Sequence, residues 1–230
     1  MTHHAASPHR IESLAGLDFD AILFDLDGTL IDSTIATERA WTHWGTLMGL
    51  ADYKHTLHGL TAKSLVNMLI DEPRHAEALD LITRLEIEDT EGIHLKDGVA
   101  ALLSALPAER WTIVTSCTSA LASARMAAAS LGLPRHMVTA DQVATGKPSP
   151  EGFLLAAQRL GVDISRCLVV EDAPAGLSAG VAAGAYTLAV TGTYSAEDLE
   201  ANTVVESLEQ VTVSTASNGS LRIRVTSDLT

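Results

Sequence analysis

The apolar run Ala21-Ile22-Leu23-Phe24 ends in Asp25-Leu26-Asp27-Gly28-Thr29-Leu30, so a segment suited to a buried strand gives out directly into two carboxylates. Consecutive apolar residues fit a strand covered on both faces, and open α/β sheets keep their ligand sites at the edge where such strands end. Side chains alternate along extended backbone, so Asp25 and Asp27 point the same way while Leu26 turns toward the core. Two like charges so close repel unless a cation lies between them or one holds a proton. Gly28 permits a tight turn, within which Thr29 can hydrogen-bond locally. A strand followed by an ordinary Asp-Gly turn gives the same short pattern; the longer string DLDGTL favours a site.

The remaining pattern divides the chain. Residues 1–16 are polar and aperiodic, read as a flexible tail whose His3, His4 and His9 form no metal site. Asp32 or Ser33 caps a helix reaching about Leu47, with Trp41 and Trp44 at helical spacing, and Thr61–Ile70 and Glu72–Glu88 read as two more. No strand pattern interrupts them, which marks residues 33–95 as a separate helical lobe over the strand end. Residues 17–32 and 96–230 make the main domain, where short strands at 112–115, 136–139, 167–170 and 186–190 alternate with helices at 98–106, 120–131, 150–160 and 173–183. Such alternation predicts an α/β fold with a parallel sheet covered on both faces. Residues 211–215 and 221–225 around Asn218-Gly219 read as a hairpin.

Three further stations follow predicted strands. Ser116 leads into a helix, where a hydroxyl and free N–H groups can cradle phosphate, although an N-cap serine looks the same. Gly146-Lys147-Pro148 places a lysine on a rigid loop, and Val169-Val170 runs into Glu171-Asp172. Four loops at one sheet edge thus carry two carboxylate pairs, a hydroxyl and an ammonium. Oxygen-only ligands point to a hard cation such as Mg²⁺ beside a phosphoryl group.

DLDGT at Asp25, the hydroxyl at Ser116, GKPSPE around Lys147 and VVEDAPAG around Glu171-Asp172 resemble the four motifs of the haloacid dehalogenase superfamily. EDTEGI, WTIVTS and SLEQVTV add likeness to its bacterial sugar or hexitol phosphatases and to the yeast-type glycerol and deoxyglucose phosphate phosphatases. The resemblance implies a Rossmann-like core, doubly wound, with an inserted α-helical cap. It implies a catalytic set of Asp25 as nucleophile, Asp27 as acid and base, and Ser116 and Lys147 on the phosphoryl oxygens. It also implies Mg²⁺ held by the carboxylates of Asp25 and Asp172 and the main-chain carbonyl of Asp27, with Glu171 supporting. The substrate is then a small phosphorylated sugar or polyol, met in the cap by His58 and Lys63.

Related dehalogenases lack an acid at the position of Asp27. Phosphonatases need a cap lysine in an apolar setting, which the surroundings of Lys54 and Lys63 do not offer. Hexose-phosphate mutases with this cap carry a histidine where Thr37 stands, so net hydrolysis is expected; a mutase and a catalytically silent phosphate- or partner-binding module are the alternatives. In related glycerol phosphatases an Arg and an Asp follow the cap His-Gly where Thr61 and Ser64 stand here, which leaves the particular sugar open. Cys117 beside Ser116 suggests an oxidation-sensitive pocket.

A net charge of -14 argues against nucleic acid, and the absence of any apolar run near the roughly 20 residues that span a bilayer argues against a membrane. A cytoplasmic enzyme, monomeric or weakly homodimeric, is expected. Cys117 and Cys167 read as buried thiols rather than a disulfide framework.

Overall fold

A computed structural model describes residues 14, 16–50, 52–56 and 58–226. In chain order its strands and helices are β1 (Asp18–Phe19), β2 (Ala21–Phe24), β3 (Ile31–Asp32), α1 (Thr34–Met48), α2 (Ala62–Leu69), α3 (His75–Glu88), β4 (His94–Leu95) and α4 (Val99–Ser104). There follow β5 (Trp111–Val114), α5 (Ser119–Ala128), β6 (Met137–Val138), α6 (Glu151–Leu160), β7 (Cys167–Glu171), α7 (Pro174–Ala183), β8 (Tyr186–Val190), β9 (Thr203–Val205), β10 (Val211–Thr215) and β11 (Leu221–Val225).

The main sheet has six parallel strands in the order β6-β5-β2-β7-β8-β9. From β2 the chain winds outward through β5 to β6, then returns to the other flank of β2 and winds outward through β7, β8 and β9. The winding therefore reverses beside β2, and ligand crevices of such sheets open at that reversal, outside the strand ends. Strand pleating divides the core between two faces. Ile22 and Phe24 pack with Ile113, Leu168 and Val170 under α4 and α5, whereas Ala21 and Leu23 pack with Val114 and Val169 under α6 and α7.

A second sheet is antiparallel, with β11 between β1 and β10. The expected hairpin is thus present, and its inner strand also pairs with a two-residue strand too short to show a period. His3, His4, His9 and most of the presumed tail lie outside the described residues. Leu14 is buried in the main core, so the tail reading fails at that residue.

Between β3 and β4 the helices α1, α2 and α3 gather around a cluster of their own, made by Trp41, Trp44, Met48, Leu65, Val66, Ala78 and Ile82. Trp41 and Trp44 meet edge to face at 5.0 Å, and the Trp44 indole N–H donates to the Ala78 carbonyl at 2.8 Å. The helix expected over 72–88 starts with a 3₁₀ turn at Glu72–Arg74, with Pro73 in the first turn, where no backbone donor is needed. The stretch also meets strand after all: β3 pairs antiparallel with β4 where the chain leaves and re-enters the main domain.

At the β7–α7 junction the helix passes close over the Glu171 side chain. A methyl group on Gly176 would lie 1.6 Å from Oε1 of Glu171, whose side chain is fully buried. Gly176→Ala should therefore destabilise the fold by about 1–3 kcal/mol through overpacking, against the helix propensity of alanine. Urea unfolding checks this, and an unchanged or raised midpoint would show that Glu171 can move aside.

Candidate active site

Asp25 follows the last residue of β2, at the winding reversal, and its main-chain N–H donates to the Val170 carbonyl at 2.9 Å. Its carboxylate is buried and ion-paired with Lys147, whose ammonium also meets Glu171 Oε1 at 2.6 Å. Glu171 is fixed from its other oxygen, which accepts the N–H groups of Asp172 and Ala173, each at 2.9 Å. Asp172 accepts the Thr29 hydroxyl at 3.3 Å. Gly28, at φ +85°, lets the loop pass over it: a Cβ there would fall 1.9 Å from Asp172 Oδ2. The turn that the sequence assigned to Gly28 exists to admit a carboxylate.

Asp25, Glu171 and Asp172 each offer an oxygen within 4.8 Å of the others. Three carboxylates meet the Lys147 ammonium, with the Lys96 charge acting on Asp172 from beside the Gly28 carbonyl, so the acids outnumber the cations when all are ionised. Burial pushes the Asp25 carboxyl well up, with Lys147 opposing and Glu171 and Asp172 adding to the rise. Burial and the neighbouring Glu171 charge push Asp172 up to about 7. Buried oxygen donors with negative charge left over fit a divalent hard cation.

The Asp27 carboxylate is paired with a guanidinium of the protein itself. Arg125 Nη1 donates to Asp27 Oδ1 at 2.8 Å, Ser33 donates to the same oxygen at 2.6 Å, and the Cys117 thiol donates to Oδ2 at 3.0 Å. Burial alone would raise this carboxyl, but the Arg125 charge and these three donors hold it below the usual range. The Cys117 thiol is pushed far up by burial and by Asp27, so it stays protonated. That works against the oxidation-sensitive pocket, since the thiolate is the reactive form.

Ser116 is not the cap of α5; the Thr118 side chain accepts the Leu121 N–H there. The Ser116 hydroxyl instead donates to the Gly59 carbonyl of the helical insertion at 2.9 Å. That loop lies close over the strand ends, where a Cβ on Gly59 would come 2.6 Å from Ala173 Cβ. Ser116, His58 and Lys63 all line one cavity of about 370 Å³ together with Asp25, Asp27 and Asp172. Lys54 and Lys63 are exposed, so neither has the apolar setting of a Schiff-base lysine.

The sequence reading missed Arg125 and Glu86, whose guanidinium and carboxylate pair at 3.0 Å, both nearly inaccessible. A signal existed for each. Arg125 is the one charge in the small-residue helix SALASARMAA, and Glu86 continues the buried stripe Ala78–Ile82 of α3 at the next helical step. His55, also missed, stacks on Trp41 at 5.1 Å and meets His58 edge-on at 4.7 Å.

Burial first, then the charges of His58 and Arg125, lowers His55 to about 4. The unfolded chain binds a proton at His55 below about pH 6.5 and the folded protein does not until about pH 4, so the contribution of neutral His55 is complete above 6.5 and is lost as pH falls through that window. Urea unfolding at pH 7 and pH 5 should show wild type losing about 2 kcal/mol more than His55→Phe, which keeps a ring on Trp41 without titrating. Equal losses would place the titration elsewhere.

A family model described as haloacid dehalogenase-like hydrolase matches residues 19–184. Hexitol phosphatase A of Escherichia coli (strain K12) is 43% identical over 210 residues, covering 88% of this chain and 97% of the relative. 2-Deoxyglucose-6-phosphate phosphatase 1 of Saccharomyces cerevisiae is 31% identical over 94% of this chain and 99% of its own length. A solved hydrolase from Pseudomonas syringae superposes with a TM-score of 0.74 at 27% identity, covering 82% of this chain and 94% of that one. The chain belongs to the haloacid dehalogenase-like hydrolase family.

Proposed function

We propose that this hydrolase is a Mg²⁺-dependent phosphatase of small sugar or sugar-alcohol phosphates, acting through an aspartyl-phosphate on Asp25. The observation that carries this reading is the placement of Asp25 at the winding reversal, ion-paired to Lys147, beside two more buried carboxylates and at one wall of the cavity. The relatives with long matching alignments bear the names of hexitol and deoxyglucose phosphate phosphatases, which supplies the substrate class.

The chemistry follows from the side chains. Asp25 attacks phosphorus in line, which divides one hard displacement into two easier ones. Lys147 and the Ser116 hydroxyl, once it exchanges Gly59 for substrate, hold the non-bridging oxygens; positioning and charge make up most of phosphoryl-transfer catalysis. Asp27 protonates the leaving alkoxide and afterwards takes a proton from the water that hydrolyses the aspartyl-phosphate. Its low pKa suits the second role, and a phosphate dianion arriving beside it raises that pKa toward the first. Asp25, Asp172 and the Asp27 carbonyl, supported by Glu171, would hold Mg²⁺, which when bound would neutralise phosphoryl charge. The core and insertion are, in this reading, a catalytic domain over 17–32 and 96–230 and a cap over 33–95. His58, which burial keeps neutral, and Lys63 would face the sugar hydroxyls.

A phosphate-release screen over hexose, hexitol, pentose and triose phosphates with Mg²⁺ tests the reading, with hexitol or hexose phosphates expected to lead and Asp25→Asn to be inactive. Wild-type inactivity throughout would favour a binding module, and interconversion of hexose phosphates without released phosphate would favour a mutase. Asp172→Asn should raise the Mg²⁺ concentration needed for half-maximal rate by at least about 10-fold, since even indirect metal contacts are worth that much. An unchanged Mg²⁺ requirement would remove Asp172 from the ligand set.

A further inference from the structure

One guanidinium joins the two parts of this molecule at the proposed acid. Arg125 projects from α5 of the main domain, and its Nη1 donates to Asp27. Its Nη2 donates across the boundary to the insertion, to the Thr37 hydroxyl on α1 at 2.8 Å and to Glu86 Oε1 on α3 at 3.0 Å. Glu86 is oriented in turn by the Trp41 indole N–H at 3.2 Å. The remaining donor, Arg125 Nε, is buried without a partner among the described residues. A buried side chain that leaves one donor unpaired while spending its other two nitrogens on opposite sides of a boundary is placed for orientation more than for its own stability.

We propose that Arg125 is a positioning residue for Asp27, seated by Glu86 and Thr37 of the insertion, so that the direction of the Asp27 carboxylate is set by how the insertion docks. The planar fork of arginine meets partners on two sides at fixed angles, which a lysine point charge does not. Arg125 acts through Asp27 and needs no contact with substrate. The inference rests on the reading of Asp27 as the group that protonates the leaving oxygen.

Leaving-group dependence isolates this role. p-Nitrophenyl phosphate departs as a stabilised phenolate and needs no proton, whereas a hexitol phosphate departs as an alkoxide and does. The ratio kcat/KM covers formation of the phosphorylated Asp25 and leaves out its later hydrolysis. Arg125→Lys should lower kcat/KM on the order of 100-fold for a hexitol phosphate, the scale of a misplaced general acid, and by under about 10-fold for p-nitrophenyl phosphate. Glu86→Gln should discriminate in the same direction by a smaller factor, and Arg125→Lys/Glu86→Gln should lose less than the product of the single losses because the two groups form one chain of contacts. Should Arg125→Lys not fold, Glu86→Gln and Thr37→Val carry the same comparison.

Equal losses for the two substrates, or none for either, would overturn the proposal. Asp27→Asn separates the two levels of the argument. If it discriminates between the leaving groups while the Arg125 and Glu86 variants do not, the positioning role alone falls. If Asp27→Asn itself shows no discrimination, the acid role of Asp27 falls and the positioning role with it.

Discussion

The buried ammonium of Lys147, shared by Asp25 and Glu171, is the contact on which the arrangement of the strand ends depends. The winding of the sheet brings the ends of β2 and β7 side by side, and both end in acids. Without a cation on the loop after β6, two buried carboxylates would face each other at short range, and burial with the Glu171 charge would press Asp25 toward its protonated form unopposed. Removing one partner of such a buried pair typically costs about 3–5 kcal/mol, since a charge is then left without compensation. Glu171 shows how far the local structure is committed to this pairing. Both of its oxygens are occupied, and Gly176 has no side chain because the carboxylate fills that space.

Two carboxylates two residues apart have opposite electrostatic settings. Asp25 sits among other acids, where burial and like charge oppose its ionisation until a cation arrives. Asp27 sits among donors, with Arg125, Ser33 and Cys117 all directing hydrogens at it. Such separation is a common way for adjacent acids to take different parts in one reaction. Here it follows from topology: the Asp25 side faces β7 and its acidic end, while the Asp27 side faces α5 and the insertion.

Most of the parallel sheet was legible because its strands are apolar runs ending in polar loops, with Tyr186–Val190 at the expected bounds, while its edge strand Thr203–Val205 was not read; in the antiparallel sheet Val211–Thr215 and Leu221–Val225 also match the expected bounds. The two-residue strands β1, β3 and β4 were not legible, since pairing of that length leaves no period to detect; their partners come from distant parts of the chain. The acids, Lys147 and Ser116 were legible because each lies in a string at a predicted strand end. Arg125 and Glu86 lie inside helices, where a lone charge reads as solvent-facing until the packing shows which face is covered. Of the two cap candidates, Asp32 and Ser33, Asp32 accepts the Thr34 N–H, whereas the Ser33 hydroxyl goes to Asp27.

The cavity joins these settings to the insertion. Asp25, Asp27 and Asp172 line it, with Lys147 paired to Asp25, and in the proposed function these charges suit a phosphoryl group with its metal. His55 and His58 of the insertion line it as well, and burial keeps both histidines uncharged near neutral pH. Neutral imidazoles donate and accept hydrogen bonds without drawing in a second anion. In the proposed function these neutral groups would meet the hydroxyls of the substrate while the charges at the strand ends hold its phosphate, so one end would be read by hydrogen bonding and the other by electrostatics.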